Sequence, residues 1–288
     1  MTNKIINSIE KQLYILTKKK FSKKYIHEYI IPIIDFIISS KKKKFLISGS
    51  QGIGKSTLLK VIEENIKIFY KKKVLTLSLD DYYLTKKERL KLSKKFHPLL
   101  LTRGVPGTHN IKKLFNHIEQ FDKSKYPIKL TIFDKLNDDC SKNTRIIRSH
   151  ADILILEGWC CGCAPINKKF LMKNINDLEK EKDRDHKWRT YYNEQLMKEY
   201  AKLFKLFDKT IFLKVPSFLS VLKWRIKQEK MMGIDQNVKK IMSNKDIFNF
   251  ISYYEKITKW MIKTLPSKAH LMIEIDKNQK IKKIIYNK

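Results

Sequence analysis

Cysteine is sparse in this 288-residue chain: the four present are too few for a disulfide framework to hold together a protein of this size. Three of them crowd together as Cys160, Cys161 and Cys163. Adjacent cysteines chelate a metal poorly, and no second pair follows at zinc-finger spacing, so reduced thiols are the expectation. Apolar runs are short as well. None reaches the roughly 18 residues that suggest a membrane span, and the best candidate, residues 29–38, is broken by Pro32 and Asp35. The first residues carry Glu10 and lack an apolar stretch followed by a small-residue cleavage site, so no secretory signal is expected. These absences point to a soluble, cytoplasmic chain with no membrane partner. No internal repeat is visible, and a 42% hydrophobic content suffices to bury one sizeable core.

Acidic residues are also few, 29 against 62 lysines and arginines, for a net charge of +33. Such a balance would attract any phosphate backbone. The excess, however, is lysine scattered beside abundant isoleucine and asparagine, with runs at 18–20, 41–44 and 71–73 where solvated lysine is tolerated. It reads as compositional bias, and no dedicated nucleic-acid partner is expected. Arginine is scarce: there are seven, Arg89, Arg103, Arg145, Arg148, Arg184, Arg189 and Arg225. Where lysine has taken most positions that need only a positive charge, arginine should persist where a planar, two-pronged donor is required.

What is present begins at residues 44–59, KFLISGSQGIGKSTLL. Residues 49–56, GSQGIGKS, fit the pattern G-x-x-x-x-G-K-[ST], with an apolar strand before and a helical pattern after. Glycines let backbone N–H groups turn inward around phosphate oxygens, and the new helix offers unpaired donors and the positive end of its dipole. Gly49, Ser50, Gln51, Gly52, Ile53, Gly54, Lys55, Ser56 and Thr57 are therefore the expected nucleotide contacts. Lys55 would reach the β- and γ-phosphates, and the Ser56 hydroxyl would ligate Mg²⁺.

Around this loop, residues 1–43 read as an amphipathic helical extension packed on the core, and 44–288 as the catalytic domain. A second strand, 74–78, runs into Asp80 and Asp81. In an open parallel sheet ligands bind at the carboxyl ends of strands, so Asp80 is the expected base and Asp81 a supporting or substrate-orienting group. Capping the helix that begins near Thr85 is the competing role for that pair. The glycine-rich loop 96–110 carries Arg103 and His109, and a retained arginine there suggests an anionic ligand; a surface turn is the alternative. A strand over 129–133 ends at Asp134 and Lys135 and leads into a polar loop. A buried strand over 151–158 ends near Glu157, the form expected of the second, magnesium-facing acidic motif. A long helical pattern within 174–207 carries an aromatic stripe read as core. A strand over 210–215 precedes a helix, 217–232, expected to stop at Gly233 and to bring Arg225 over the phosphates. A helix over 245–265 and a strand over 271–275 follow. Alternation of this kind predicts an α/β fold, a mostly parallel sheet of about five strands with helices on both faces.

The ordered motifs GSQGIGKST, SLDDYYLT, TRGVPGTHN, FDK, ILEGW, WRIKQE and LMIEID resemble the plant-type D-glycerate 3-kinase family and its fungal kinase-like relatives. These lie near the uridine kinase, pantothenate kinase and phosphoribulokinase group. The resemblance covers roughly residues 40 to 280 and is more specific than a phosphate loop alone. It implies a P-loop kinase fold, ATP and Mg²⁺ as cofactors, and phosphorylation of D-glycerate to 3-phosphoglycerate. By motif, Asp80 matches the base, with Lys55 and Arg225, the lid arginine, completing the catalytic set. Asp81, Tyr82, Arg103, His109, Asp134 and Lys135 match the substrate positions, and Ser56 and Glu157 the metal positions. Another small hydroxyl substrate, such as a nucleoside or pantothenate, a nucleic-acid-stimulated ATPase, and an ATP-binding module without acceptor chemistry are the alternatives.

Overall fold

A computed structural model describes residues 2–235 and 242–287. Five strands form a parallel core sheet: β1 (Lys44–Gly49), β2 (Val74–Ser78), β5 (Ile153–Gly158), β6 (Lys209–Lys214) and β7 (Leu271–Ile275). The order is β2-β5-β1-β6-β7, and β8 (Ile281–Tyr286) adds an antiparallel edge on β7. The strand carrying the phosphate loop is therefore central.

These strands are mostly apolar because both faces of the sheet are covered. Along β5 every residue is buried, and its side chains alternate between the two faces. Ile153 and Ile155 join Phe45, Ile47, Ile211 and Ile273 in one cluster; Leu154 and Leu156 join Leu46, Leu75, Leu77 and Met272 in the other. The first face is covered by α1 (Thr2–Thr17), the short α2 (Lys23–Tyr25) with the π-helical turn Ile26–Ile30, α3 (Ile31–Ile38) and α4 (Lys55–Tyr70). Ile5, Ile6, Ile9 and Leu13 are the buried stripe of α1, and they belong to the same cluster as Leu59 and Ile62 of α4. The N-terminal segment thus packs on the core sheet's own helical layer.

The second face is covered by α6 (Ile111–Asp122), by α9 (Lys187–Gln195) with the π-helical turn Leu196–Tyr200 and α10 (Ala201–Lys205), and by α12 (Asn244–Thr264). The remaining helices are α5 (Lys86–Lys95), α7 (Lys168–Met172), α8 (Asp177–Lys182) and α11 (Phe218–Asp235). The aromatic stripe of 188–206 packs as core: Trp188, Tyr192, Tyr200 and Leu203 are buried.

Three sequence expectations are corrected. The strand at 129–133 forms as β3 (Ile128–Asp134) but stands outside the parallel sheet, paired antiparallel with β4 (Asp139–Ile147). The segment read as a polar loop is that partner strand, which escapes an apolar-run criterion because most of its residues are exposed. The helix carrying Arg225 does not stop at Gly233 but runs on to Asp235; an interior glycine costs a helix only about 1 kcal/mol. Among the described residues, no helix is long and apolar enough to cross a membrane.

Candidate active site

The phosphate loop joins β1 to α4. Gly54 caps α4 with φ of 99°, a left-handed conformation open to glycine at little cost, and its carbonyl accepts the first helical bond from Leu58 N at 3.0 Å. Gly52 is constrained from outside: a Cβ there would lie 3.3 Å from Trp224 Cβ on α11, so that helix is seated against the loop. Gln279, in the turn after β7, donates to Gly52 O at 2.6 Å. Lys55 folds over the loop, its Nζ donating to Gly49 O at 2.8 Å and Ser50 O at 3.1 Å. Ser56 stands exposed at the start of α4, where the first backbone N–H groups have no helical acceptor.

On the β2 side of the loop the acidic groups gather. Ser78, the last residue of β2, is in register with Glu157 of β5, and its hydroxyl donates to Glu157 Oε1 at 2.6 Å. Burial pushes the Glu157 carboxyl up, and the charges of Lys55 and Lys135 oppose it. Just beyond, the 3₁₀ turn Leu79–Tyr82 turns two carboxylates in different directions. Asp80 accepts from Tyr83 Oη at 3.0 Å and from Lys135 Nζ at 2.8 Å. Burial alone would raise its pKa, but the charge and hydrogen bond of Lys135, with the charge of Lys55, outweigh it and lower it to about 2. Asp81 instead accepts from Phe133 N at 3.2 Å and so ties β2 to the hairpin. Neither serves as the helix cap, because Thr85 and Glu88 form a reciprocal capping box on α5.

The loop 96–110 closes over this end. Arg103 pairs with Asp138 at the tip of the hairpin, and its guanidinium lies 5.3 Å from the Phe133 ring centroid. Tyr254 of α12 donates to Arg103 O at 3.1 Å, Trp159 donates to Gly104 O at 3.2 Å, and a side chain at Gly104 (φ of 141°) would collide with the Tyr254 ring. His109 is buried, bridged to Tyr83, and stacked on that ring at 4.5 Å. Burial pushes its imidazole down to about 3, against the pull of Asp80.

Asp80, Lys135, Arg103 and His109 converge next to Lys55 and Glu157. Tyr82 does not join them: it is buried, with its hydroxyl 2.8 Å from His117 Nδ1 of α6. Asp134 is occupied with its own turn, accepting from Leu136 N at 2.9 Å and Asn137 Nδ2 at 2.7 Å. Arg225 lies on α11 where that helix meets Gly52, paired with Glu229 at 2.6 Å and 5.9 Å from the Phe250 ring centroid. Sequence reasoning missed Tyr83, Asp138, Tyr200 and Tyr254. Tyr83 was within reach, since it follows the paired carboxylates directly; the other tyrosines carry only the helical periodicity of core residues.

The Lys135–Asp80 pair yields a pH test. Lys135 opposes the burial that would neutralise Asp80. In Lys135→Met the Asp80 pKa should therefore rise. Its titration is expected to move up by about 1 to 2 pH units, followed by carboxyl ¹³C NMR; an unmoved titration would show that Lys135 does not set this ionisation.

No family model matches the chain. It is 29% identical over 283 residues to Probable ATP-dependent kinase TDA10 of Saccharomyces cerevisiae, covering 91% of this chain and 92% of that protein. It is 27% identical over 229 residues to chloroplastic D-glycerate 3-kinase of Arabidopsis thaliana, covering 76% of this chain but 47% of the plant protein. Among solved structures, D-glycerate 3-kinase from Cryptococcus neoformans superposes with a TM-score of 0.71 at 21% identity, covering 89% of this chain and 96% of that one, a likeness of fold.

Proposed function

We propose that this chain, which is similar to ATP-dependent kinases and to D-glycerate 3-kinase, transfers the γ-phosphoryl of ATP to a primary hydroxyl of a small hydroxy acid, D-glycerate foremost. The observation that carries this reading is that Lys135 links Asp80 and Arg103: its ammonium pairs with the Asp80 carboxylate at 2.8 Å, and its carbonyl accepts from Arg103 Nη2 at 3.4 Å. An acid with a neighbouring alcohol matches that pair: the carboxylate accepts two parallel N–H bonds, and the alcohol gives its proton to Asp80.

Each part then has a task. The loop amides and Lys55 hold the phosphates. A cavity of about 490 Å³, lined by Lys223, Trp224 and Gln279 among others, lies on the β6 and β7 side, and in this reading it takes the nucleoside end. The phosphoryl thus moves from that side toward β2. The hydroxyl of Ser56 and the carboxylate of Glu157 are hard oxygen ligands suited to Mg²⁺, and they would hold it beside the loop. When bound, that ion neutralises phosphate charge. Arg225, seated against Gly52, adds positive charge where phosphoryl charge spreads in the transition state.

The test is ADP release with Mg-ATP against D-glycerate, L-glycerate, uridine, pantothenate and single-stranded nucleic acid. D-Glycerate alone should stimulate. Arg103→Lys should lower kcat/KM for the acid roughly 30- to 100-fold, the loss of a charge-assisted, two-pronged bond, with the KM for ATP unchanged. Stimulation by nucleic acid but by none of the small molecules would overturn the reading.

A further inference from the structure

His109 holds a buried polar atom that the reaction described above leaves unused. Its Nε2 has no hydrogen-bond partner among the described residues, although the residue is only 5% exposed. Its Nδ1 lies 2.5 Å from Tyr200 Oη, and the same hydroxyl accepts from Gly107 N at 3.1 Å.

Counting protons fixes the direction of this chain. Gly107 N–H can only donate, so it occupies one acceptor position of the tyrosine oxygen. Tyr200 keeps its single proton, because burial drives its pKa far above the ordinary value. That proton needs an acceptor, and Nδ1 is the nitrogen within reach. Nδ1 therefore accepts, and the ring proton resides on Nε2. Gly107 supports the arrangement: at φ of 95° it sits where a side chain would drive into Tyr191, so its N–H is held against Tyr200. The imidazole plane is fixed in turn by stacking on Tyr83, whose hydroxyl donates to Asp80.

Building on the hydroxy-acid reading, we propose that His109 serves the acceptor site as an Nε2-protonated hydrogen-bond donor to an oxygen of the substrate beside the reacting hydroxyl, with Tyr200 as the positioning residue that fixes this tautomer. His109 is then neither the base nor a titrating switch. It selects for an oxygen lone pair at one point of the acceptor, and Asp80 remains the group that takes the proton. An unsatisfied buried donor is costly to leave unmade, so an acceptor lacking that oxygen is disfavoured.

The test is ¹⁵N spectroscopy of histidine-labelled full-length protein, with the His109 resonances assigned by their loss in His109→Gln. The free protein should show neutral imidazole protonated at Nε2. Saturating D-glycerate should shift Nε2 and leave Nδ1 nearly unchanged. 3-Hydroxypropanoate, which keeps the carboxylate and primary hydroxyl, tells whether the contact is to the 2-hydroxyl or the carboxylate. In Tyr200→Phe the tautomer preference should be lost. His109→Leu should raise the KM for D-glycerate roughly fivefold to tenfold, as for one neutral hydrogen bond, with ATP binding intact, and His109→Gln should recover most of it. Protonation at Nδ1 in the free protein, or an Nε2 signal indifferent to bound substrate, would overturn the assignment. Failure of the hydroxy-acid reading leaves a different trace: no ADP release with any glycerate. The Nε2 shift with whichever alcohol is phosphorylated then decides the role of His109.

Discussion

Replacing Asp80 by Asn is expected to lower kcat roughly 10²- to 10³-fold while the KM for ATP stays within about twofold. Asn has the same shape and still accepts from Tyr83, but it can neither take the alcohol's proton nor pair with the Lys135 ammonium. The proposed nucleotide contacts belong to a different element, the loop between β1 and α4, so ground-state ATP binding has no reason to change. The size of the effect follows from the depressed pKa. A carboxylate held at about 2 is a weak base in the ground state. In the proposed reaction, with its loose phosphoryl-transfer transition state, the proton leaves late, so much of what Asp80 would contribute is orienting the alcohol. An asparagine retains part of that orientation, which keeps the loss toward the lower end of what general-base removal gives. Steady-state kinetics with the acceptor varied at saturating Mg-ATP decide it: turnover within about threefold of wild type would remove Asp80 from the reaction. A parallel rise in the KM for ATP would instead place it in nucleotide binding.

What the sequence disclosed about this site depended on how locally each part was built. The phosphate loop was legible because all its residues are contiguous and its glycines answer a backbone requirement. Asp80 and Glu157 were legible because a strand's carboxyl end is a position that sequence can locate. The two adjacent tyrosines were not separable. Tyr82 points into the core toward His117 and Tyr83 toward Asp80, a choice made by the 3₁₀ turn they share. Tyr200 was read only as part of a core stripe and Tyr254 was covered only by a helix with no reading of its own; both are core, yet each also spends its hydroxyl on the loop that holds Arg103 and His109. A single hydrogen bond from a buried ring leaves no periodic signal. β4 and β8 were missed for a related reason: both carry runs of exposed polar or charged residues, so neither shows the apolar pattern by which strands were found.

The scarcity of arginine pointed to forked hydrogen bonding at an anionic ligand, but at Arg89 and Arg189 the fork serves the fold. Arg89 is fully buried and donates to the carbonyls of Leu84, Leu101 and Asp138. Arg189, also fully buried, sends Nε to Asp183 Oδ2 at 2.7 Å, Nη1 to Asn174 Oδ1 at 2.8 Å, and Nη2 to the carbonyls of Glu179 and Asp183 at 3.1 and 3.0 Å. Glu179 is further paired with Lys256 of α12 at 3.2 Å. One guanidinium thus ties α8 and α9 together and, through Glu179, to the helix that carries Tyr254. Arg189→Leu should cost about 3 to 5 kcal/mol, because it leaves Asp183 buried without its charge partner and Glu179 with only Lys256. In a protein of this size that corresponds to a fall in Tm of roughly 10 °C. Arg189→Lys should recover only part of the loss, since a point charge satisfies one of these acceptors and leaves the others unpaired. Because α9 leads to Tyr200 and α12 carries Tyr254, the surviving folded fraction should bind ATP normally and the proposed acid substrate less well. Equal stability of the Lys variant and wild type in thermal unfolding would mean that the charge alone is needed here, and that the fork's geometry does not explain why arginine persists at this position.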